Sequence, residues 1–262
     1  MILGASFKAN ESVARYALEG SDLSDEAVTL TDLSYLDALL FAGPVAPDYV
    51  HTAFAGPELA VGTCSYQAVL TGDGAISSVV ALLRTGDCEY VALDGSPRAE
   101  ILQAWLSFLA ATEVDGYAPF AGLAAEDVTE SHVILLLRGR GAPEVLSDYL
   151  RQQSLPEAGT VCAPRLDEIP CVVAALPHEV PTYLILVPPA YGRILWRSFL
   201  SFPQVTPTGC DNLGCLVEIE QPWAAWVKKT DVIRKTFSEL KGLHLVRDTT
   251  DFVGGRSLKG DA

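Results

Sequence analysis

Three short segments of this chain carry side chains that could do chemistry. One is His178-Glu179, where an imidazole, the one side chain that titrates near neutrality without being shifted, stands beside a carboxylate and could serve as a general acid or base. Another is Leu93-Asp94-Gly95-Ser96-Pro97-Arg98, in which Asp94 also suits a turn or helix-capping role ahead of Ser96-Pro97. The third is Gly72-Asp73-Gly74, a hairpin turn that leads into an apolar run containing the hydroxyls of Ser77 and Ser78. Two tyrosines, Tyr66 and Tyr183, lie in strand-like runs, where they serve either as packing residues or as the wall of a pocket.

Other chemistries find little support. The four histidines, His51, His132, His178 and His244, never pair at metal-ligand spacing, and His244 with Asp248 supplies only two ligands. The six cysteines form no C-x-x-C pair. Cys210 and Cys215 have no nearby histidine, and Cys64 and Cys88 read as core fillers, so no metal site is expected. The Gly-x-Ser-x-Gly hydrolase motif is absent, and Gly139 and Gly141 do not complete a phosphate-binding fingerprint.

Bulk properties narrow the class. A hydrophobic content of 49% with 19% charged residues fits a chain with a real core in one large or two modest domains. The net charge of −15 argues against nucleic acid as the main partner, because a phosphate backbone demands a basic face. An anionic ligand would need a local basic patch, for which Lys228, Lys229, Arg234 and Lys235, or Arg138 and Arg140, are the candidates. No apolar run reaches the length of a membrane-spanning helix, and the N-terminus reads as lacking a signal peptide, so a cytoplasmic location with no membrane partner is expected.

The elements that must position these residues follow from periodicity. Strands are predicted over 27–33, 65–70, 75–84, 89–93, 132–138, 159–163, 171–175 and 183–187. Helices are predicted over 11–20, 46–55, 97–111, 142–152, 189–199 and 231–240, and the tail from Gly254 is expected to be mobile. Ile101, Trp105 and Phe108 form one stripe of the 97–111 helix and are expected in the core. Strand, turn, strand, helix recurs without a parallel βαβ rhythm, which predicts an α+β fold with antiparallel sheets.

The order of these pieces resembles the folate-binding region of the glycine cleavage T-protein (aminomethyltransferase) family. The family's apolar-Asp-apolar-Ser-aromatic strand is matched by Thr31–Leu36, and its Gly-Pro turn by Gly43-Pro44. Gly62, Tyr66 and Gly74 follow in order, and Leu93–Arg98 resembles the family's Val-Asn-Ala-Ser-x-Arg segment, with Asp94 in place of Asn. Farther on, Arg138-Gly139-Arg140-Gly141-Ala142 resembles its Gln-Gly-Pro-x-Ala turn, 178–188 its Gly-Glu segment running into a Val-Pro strand end, and 251–258 its Phe-Ile-Gly-Lys segment.

The resemblance implies a two-lobed fold, with one lobe from about 1–50 plus 127–262, an inserted lobe from about 51–126, and no C-terminal barrel domain. It implies tetrahydrofolate as cofactor, a small-molecule one-carbon donor, and a methyl or aminomethyl transferase activity. Tyr66, Asp94, Glu179 and Tyr183 would line the folate site, Glu179 because two parallel donors on the pterin edge prefer a two-oxygen acceptor. The family's catalytic Asp falls on Ser77 or Ser78, which with His178 become the catalytic candidates. A serine holds no negative charge at neutral pH, so the alternative is a non-catalytic folate-binding or structural subunit. The family's Ala-Arg-Asp segment falls at 211–214, where the Arg is missing. An apolar wall left open without the barrel would require a homo-oligomer or a partner subunit to cover it.

Overall fold

A computed structural model describes residues 6–7, 13–15, 27–96, 98–150, 154–209 and 232–258. The chain divides into two compact units, 1–36 with 129–222, and 37–128 with 223–262.

In the first unit, β1 (Ser6–Phe7) pairs with β2 (Val13–Arg15). The main sheet holds β3 (Val28–Asp32), β9 (Val133–Arg138), β10 (Thr160–Cys162), β13 (Val172–Ala175), β14 (Thr182–Val187) and β15 (Val205–Pro207), in the order β15-β3-β9-β14-β13-β10. A separate two-residue ladder joins β11 (Arg165–Leu166) to β12 (Ile169–Pro170). All these pairs are antiparallel except β15 with β3. Helices α3 (Ala142–Leu150) and α4 (Pro189–Phe199) bury Leu146, Tyr149, Leu195 and Phe199 against Leu30, Leu137, Ile185 and Val187.

In the second unit the strands are β4 (Asp37–Ala42), β5 (Thr63–Leu70), β6 (Ile76–Gly86), β7 (Glu89–Asp94) and β8 (Ala124–Asp127), in the order β5-β6-β7-β4-β8. Every neighbouring pair is antiparallel. Helices α1 (Ala46–Ala53) and α2 (Ala99–Ala110) cover Leu39, Val69, Val80, Leu82 and Ala92. A second core gathers Ala68, Leu70, Ile76 and Val79 against Leu240 of α5 (Phe237–Gly242) and against Leu245, Val246 and Phe252.

The mixed α+β architecture built on antiparallel ladders agrees with the pattern read from the sequence, and several elements differ. The Asp37–Ala42 strand was not anticipated, because its apolar run Ala38–Phe41 adjoins the strand before it with only a short turn between. Val13–Arg15 is a strand where a helix was expected, its register set by pairing with Ser6–Phe7. The rest of that expected helix, and Asp231 at the start of the last one, lie outside the described residues. Residues 254–258 are held in place: Ser257 Oγ donates to Gly72 O at 2.9 Å, and a 3-10 turn spans Gly255–Ser257.

The Ile101, Trp105 and Phe108 stripe is the largest correction. Leu102 and Leu106 are the fully buried residues of α2, Trp105 is half-buried, and Ile101 and Phe108 are 48% and 62% exposed. This helix is apolar on more than one face, so periodicity alone could not say which stripe turns inward.

Gly139, directly after β9, has φ +131°, and a Cβ there would lie 2.1 Å from the Ala27 carbonyl oxygen. Both the backbone conformation and the close approach demand glycine. Gly139→Ala is expected to cost about 2–4 kcal/mol, read as a fall in the urea midpoint; an unchanged midpoint would contradict the packing described.

Candidate functional site

The site is built from the end of β7 upward. Antiparallel pairing sets Asp94 opposite Asp37 of β4 and places it on the face of the sheet shared by Tyr90 and Ala92, which α2 covers. The chain then turns through Gly95 and Ser96 into α2. Asp94 Oδ1 accepts from the Ser96 backbone N–H at 2.9 Å, and Oδ2 accepts from Ser96 Oγ at 3.0 Å. Ser96 Oγ in turn accepts from the Arg98 N–H at 3.2 Å. A side chain that bonds the backbone two residues on is what makes Asp a turn former.

The neighbouring strand completes the arrangement. Leu70 pairs with Ile76 and Val69 with Ser78, so Ser77 is the extra residue of a β-bulge in β6. Beyond the bulge Ser78 faces Asp94, and its Oγ donates to Asp94 Oδ1 at 2.9 Å, with Ser96 Oγ at 3.1 Å. The carbonyls flanking the bulge are taken by the helix side: Arg98 Nη1 donates to Ile76 O at 2.8 Å and Trp105 Nε1 to Leu70 O at 3.0 Å. Ser78 and Asp94 are 0% and 2% exposed. Ser77 is equally buried, and among the described residues its Oγ meets no hydrogen-bond partner.

The structure thus joins Ser78 and Asp94 and adds Ser96, Arg98 and Asp37, none of which was singled out from sequence as a site residue. Asp37 escaped because its strand did. Ser96 and Arg98 lay within a segment already quoted, and the i, i+2 spacing from Asp94 to Ser96 was the available signal. Tyr66 packs on the core beneath α5. The remaining candidates belong to the first unit: Tyr183 in the core under α3 and α4, half-buried His178 and exposed Glu179 on the loop between β13 and β14. Among the basic candidates, Arg234 is bonded to Asp73, Lys235 lies 3.4 Å from Glu239, and Arg138 is buried. Lys228, Lys229, Cys210, Cys215 and 211–214 lie outside the described residues.

No group of three metal-ligating side chains gathers among the described residues, and no described helix is long and apolar enough to cross a membrane. A cavity of about 180 Å³ opens elsewhere in the second unit, lined by His51, Phe54, Glu58, Arg84, Tyr90 and Arg247, among others. None of the sequence-predicted site residues lines it. It is well below the roughly 300 Å³ at which ligand pockets usually begin, and its Arg247 guanidinium is committed to the carbonyls of His51 and Phe54 at 2.8 Å each. Burial pushes the Cys64 thiol up to about 12, which leaves it inert at neutral pH.

No family model matches the sequence, and no curated protein matches it. Among solved structures the chain is similar to the glycine cleavage system aminomethyltransferase T from Bartonella henselae, with a TM-score of 0.78 and 19% identity, over 98% of this chain and 70% of that one. It is also similar to a chain of the heterotetrameric sarcosine oxidase from Corynebacterium sp. U-96, with a TM-score of 0.47 and 17% identity, over 71% of this chain and 87% of that one. The first likeness establishes the fold: this chain has the aminomethyltransferase T fold.

Burial raises the Asp94 carboxyl to about 6, against the opposing pull of its bonds to Ser96 and Ser78 and with a small further push from Asp37. An unfolded Asp titrates near 3.9, so between about pH 4 and pH 6 the folded chain holds a proton that the unfolded chain releases. The stability contributed by this group is therefore full below about pH 4 and is lost as pH rises through about 6. Two pKa units correspond to about 3 kcal/mol. Asp94→Asn, which keeps the acceptor and carries no charge, is expected to be more stable than the parent by about 2–3 kcal/mol at pH 8 and equal to it at pH 4. Urea denaturation at both pH values checks this, and equal stability at pH 8 would mean that the charge carries no such cost.

Proposed function

We propose that this protein binds a reduced folate and acts as a tetrahydrofolate-dependent one-carbon transferase, taking a methyl or aminomethyl group from a small donor within a multi-subunit assembly. The observation that carries the reading is the agreement, along 98% of the chain, between its fold and that of an aminomethyltransferase. The ordered motifs from Thr31 to Arg98 give independent support.

One feature of the site geometry supports this reading despite the main departure from the family pattern. The resemblance puts a catalytic carboxylate on the strand after the glycine turn, where this chain has Ser77 and Ser78. Asp94 stands where the pattern has an amide, and its carboxylate lies 2.9 Å from Ser78 Oγ. The negative charge is thus present one strand over, on β7 instead of β6. With a midpoint of about 6 it is mostly ionised at neutral pH, and a fixed anion in a dry setting stabilises a cationic one-carbon intermediate more strongly than it would in water. Glu179, on its exposed loop, is the acceptor assigned to the pterin edge.

The near-complete burial of Ser77, Ser78 and Asp94 favours a second reading, a folate-binding or structural subunit without turnover. Melting curves with and without tetrahydrofolate test the shared part. At a hundredfold excess over the dissociation constant the ligand stabilises by about 2.7 kcal/mol, and no shift at millimolar tetrahydrofolate overturns folate binding. Turnover separates the remaining readings: the transferase forms a one-carbon folate at a rate that Asp94→Asn lowers by about tenfold or more, a folate-binding subunit shows the shift and no product, and a structural subunit that has lost the ligand shows neither.

A further inference from the structure

The cavity at the C-terminal end of α1 lies within the second unit and takes no part in the chemistry of Asp94. Its volume of about 180 Å³ is below that of an ordinary ligand pocket, yet about 150 Å³ is enough to hold a benzene ring. Val50 and Phe54 at the end of α1, with Leu59 from the connection to β5, give it an apolar wall. Asp48 and Glu58 on its lining are exposed. Gln67 on β5 and Tyr90 on β7, also on the lining, are only 2% and 4% exposed.

The hydrogen-bonding groups of this lining are unevenly used. Each side-chain nitrogen is already engaged. The Arg84 guanidinium donates to the carbonyls of Asp87 at 2.6 Å, Leu59 at 2.7 Å and Gly86 at 3.3 Å. That of Arg247 donates to Asp251 as well as to the carbonyls of His51 and Phe54. His51 Nδ1 and Nε2 lie 3.0 Å from Glu58 and Asp251, and Gln67 Nε2 donates to Pro57 O at 2.8 Å. Acceptors are left over. Among the described residues, Gln67 Oε1, the Tyr90 hydroxyl and the Asp48 carboxylate make no hydrogen bond, and Glu58 meets His51 through Oε1 alone. Burial raises the Tyr90 hydroxyl above its ordinary range, against the pull of Arg84 and with further pushes from Cys88 and Glu58, so it stays a neutral phenol. A buried polar atom with no partner carries a desolvation cost that a bound group can relieve. The group that suits spare acceptors where the nitrogen donors are committed is an ammonium, with three N–H bonds and no acceptor of its own.

We propose that this cavity binds a small organic ammonium, with its apolar body against Val50, Phe54 and Leu59 and its N–H groups on Gln67 Oε1, the Tyr90 hydroxyl and the Glu58 carboxylate. The inference is independent of the folate reading, since it uses neither Asp94 nor Glu179.

The test titrates benzylamine against the full chain by ligand-observed NMR, with benzyl alcohol and benzoate as neutral and anionic counterparts of similar shape. Benzylamine is expected to saturate below about 10 mM, the range open to a ligand of so few atoms, and to bind about tenfold or more tighter than either counterpart. Tyr90→Phe keeps the ring beneath the Arg84 guanidinium and the net charge of the chain, and is expected to weaken benzylamine about threefold or more. Glu58→Gln, at an exposed position, is expected to weaken it about threefold. Both variants are titrated at a temperature where circular dichroism shows them folded. The proposal is overturned if benzylamine does not saturate, or if benzoate or benzyl alcohol binds as tightly. It is also overturned if Glu58→Gln leaves the affinity unchanged, or if Tyr90→Phe does, since binding is then the general attraction of a chain with net charge −15 for any cation.

Discussion

The second unit is organised by one requirement: a carboxylate with almost no access to water must be given donors. Asp94 draws them from three directions, the Ser96 backbone N–H, the Ser96 hydroxyl and the Ser78 hydroxyl. Each fixes a piece of structure. The first two fold the turn that launches α2. The third needs Ser78 on the α2 side of β6, the face it shares by plain alternation with Val80 and Leu82, while the bulge at Ser77 turns Ile76 to the opposite face with Val79. These donors lower the carboxyl without cancelling the cost of burial, which is why it titrates near 6 and not near 4.

The same arrangement sets the outward face of α2. A bulge breaks the ladder, and the carbonyls beside it need partners. Arg98 and Trp105 supply them at Ile76 and Leu70. Once these two residues are committed inward, the rotation of the helix is determined: Leu102 and Leu106 enter the core, and Ile101 and Phe108 face out. The exposed apolar side chains of α2 are thus a consequence of how the buried carboxylate is served.

Much of the fold could be read directly from the sequence. The Gly72-Asp73-Gly74 turn announced the hairpin of β5 and β6, and Pro189 with its apolar stripe marked α4 close to its true limits. What failed did so for physical reasons. Asp37–Ala42 is a strand because two neighbours, β7 and β8, pair with it, and pairing partners distant in sequence leave no local signature. The inward stripe of α2 was chosen by two hydrogen bonds to a bulge, and hydropathy does not register hydrogen bonds. For the site, Asp94 and Ser78 were visible as separate suggestions, but their joining depends on the cross-strand register of β6 and β7. That the Asp94 carboxylate meets the Ser78 hydroxyl of the neighbouring strand could be recognised only when both side chains were placed in space.

The most direct test of the account follows the Asp94 carboxyl itself. Carbon-13 NMR of carboxyl-labelled aspartates, with Asp94→Asn to assign the signal, reads its titration between pH 4 and 8 in the presence and absence of tetrahydrofolate. The account predicts one aspartate with a midpoint near 6 that moves when the folate binds. An Asp94 signal that titrates near 4 with the other carboxyls, or a midpoint near 6 that saturating tetrahydrofolate leaves unchanged, would contradict it.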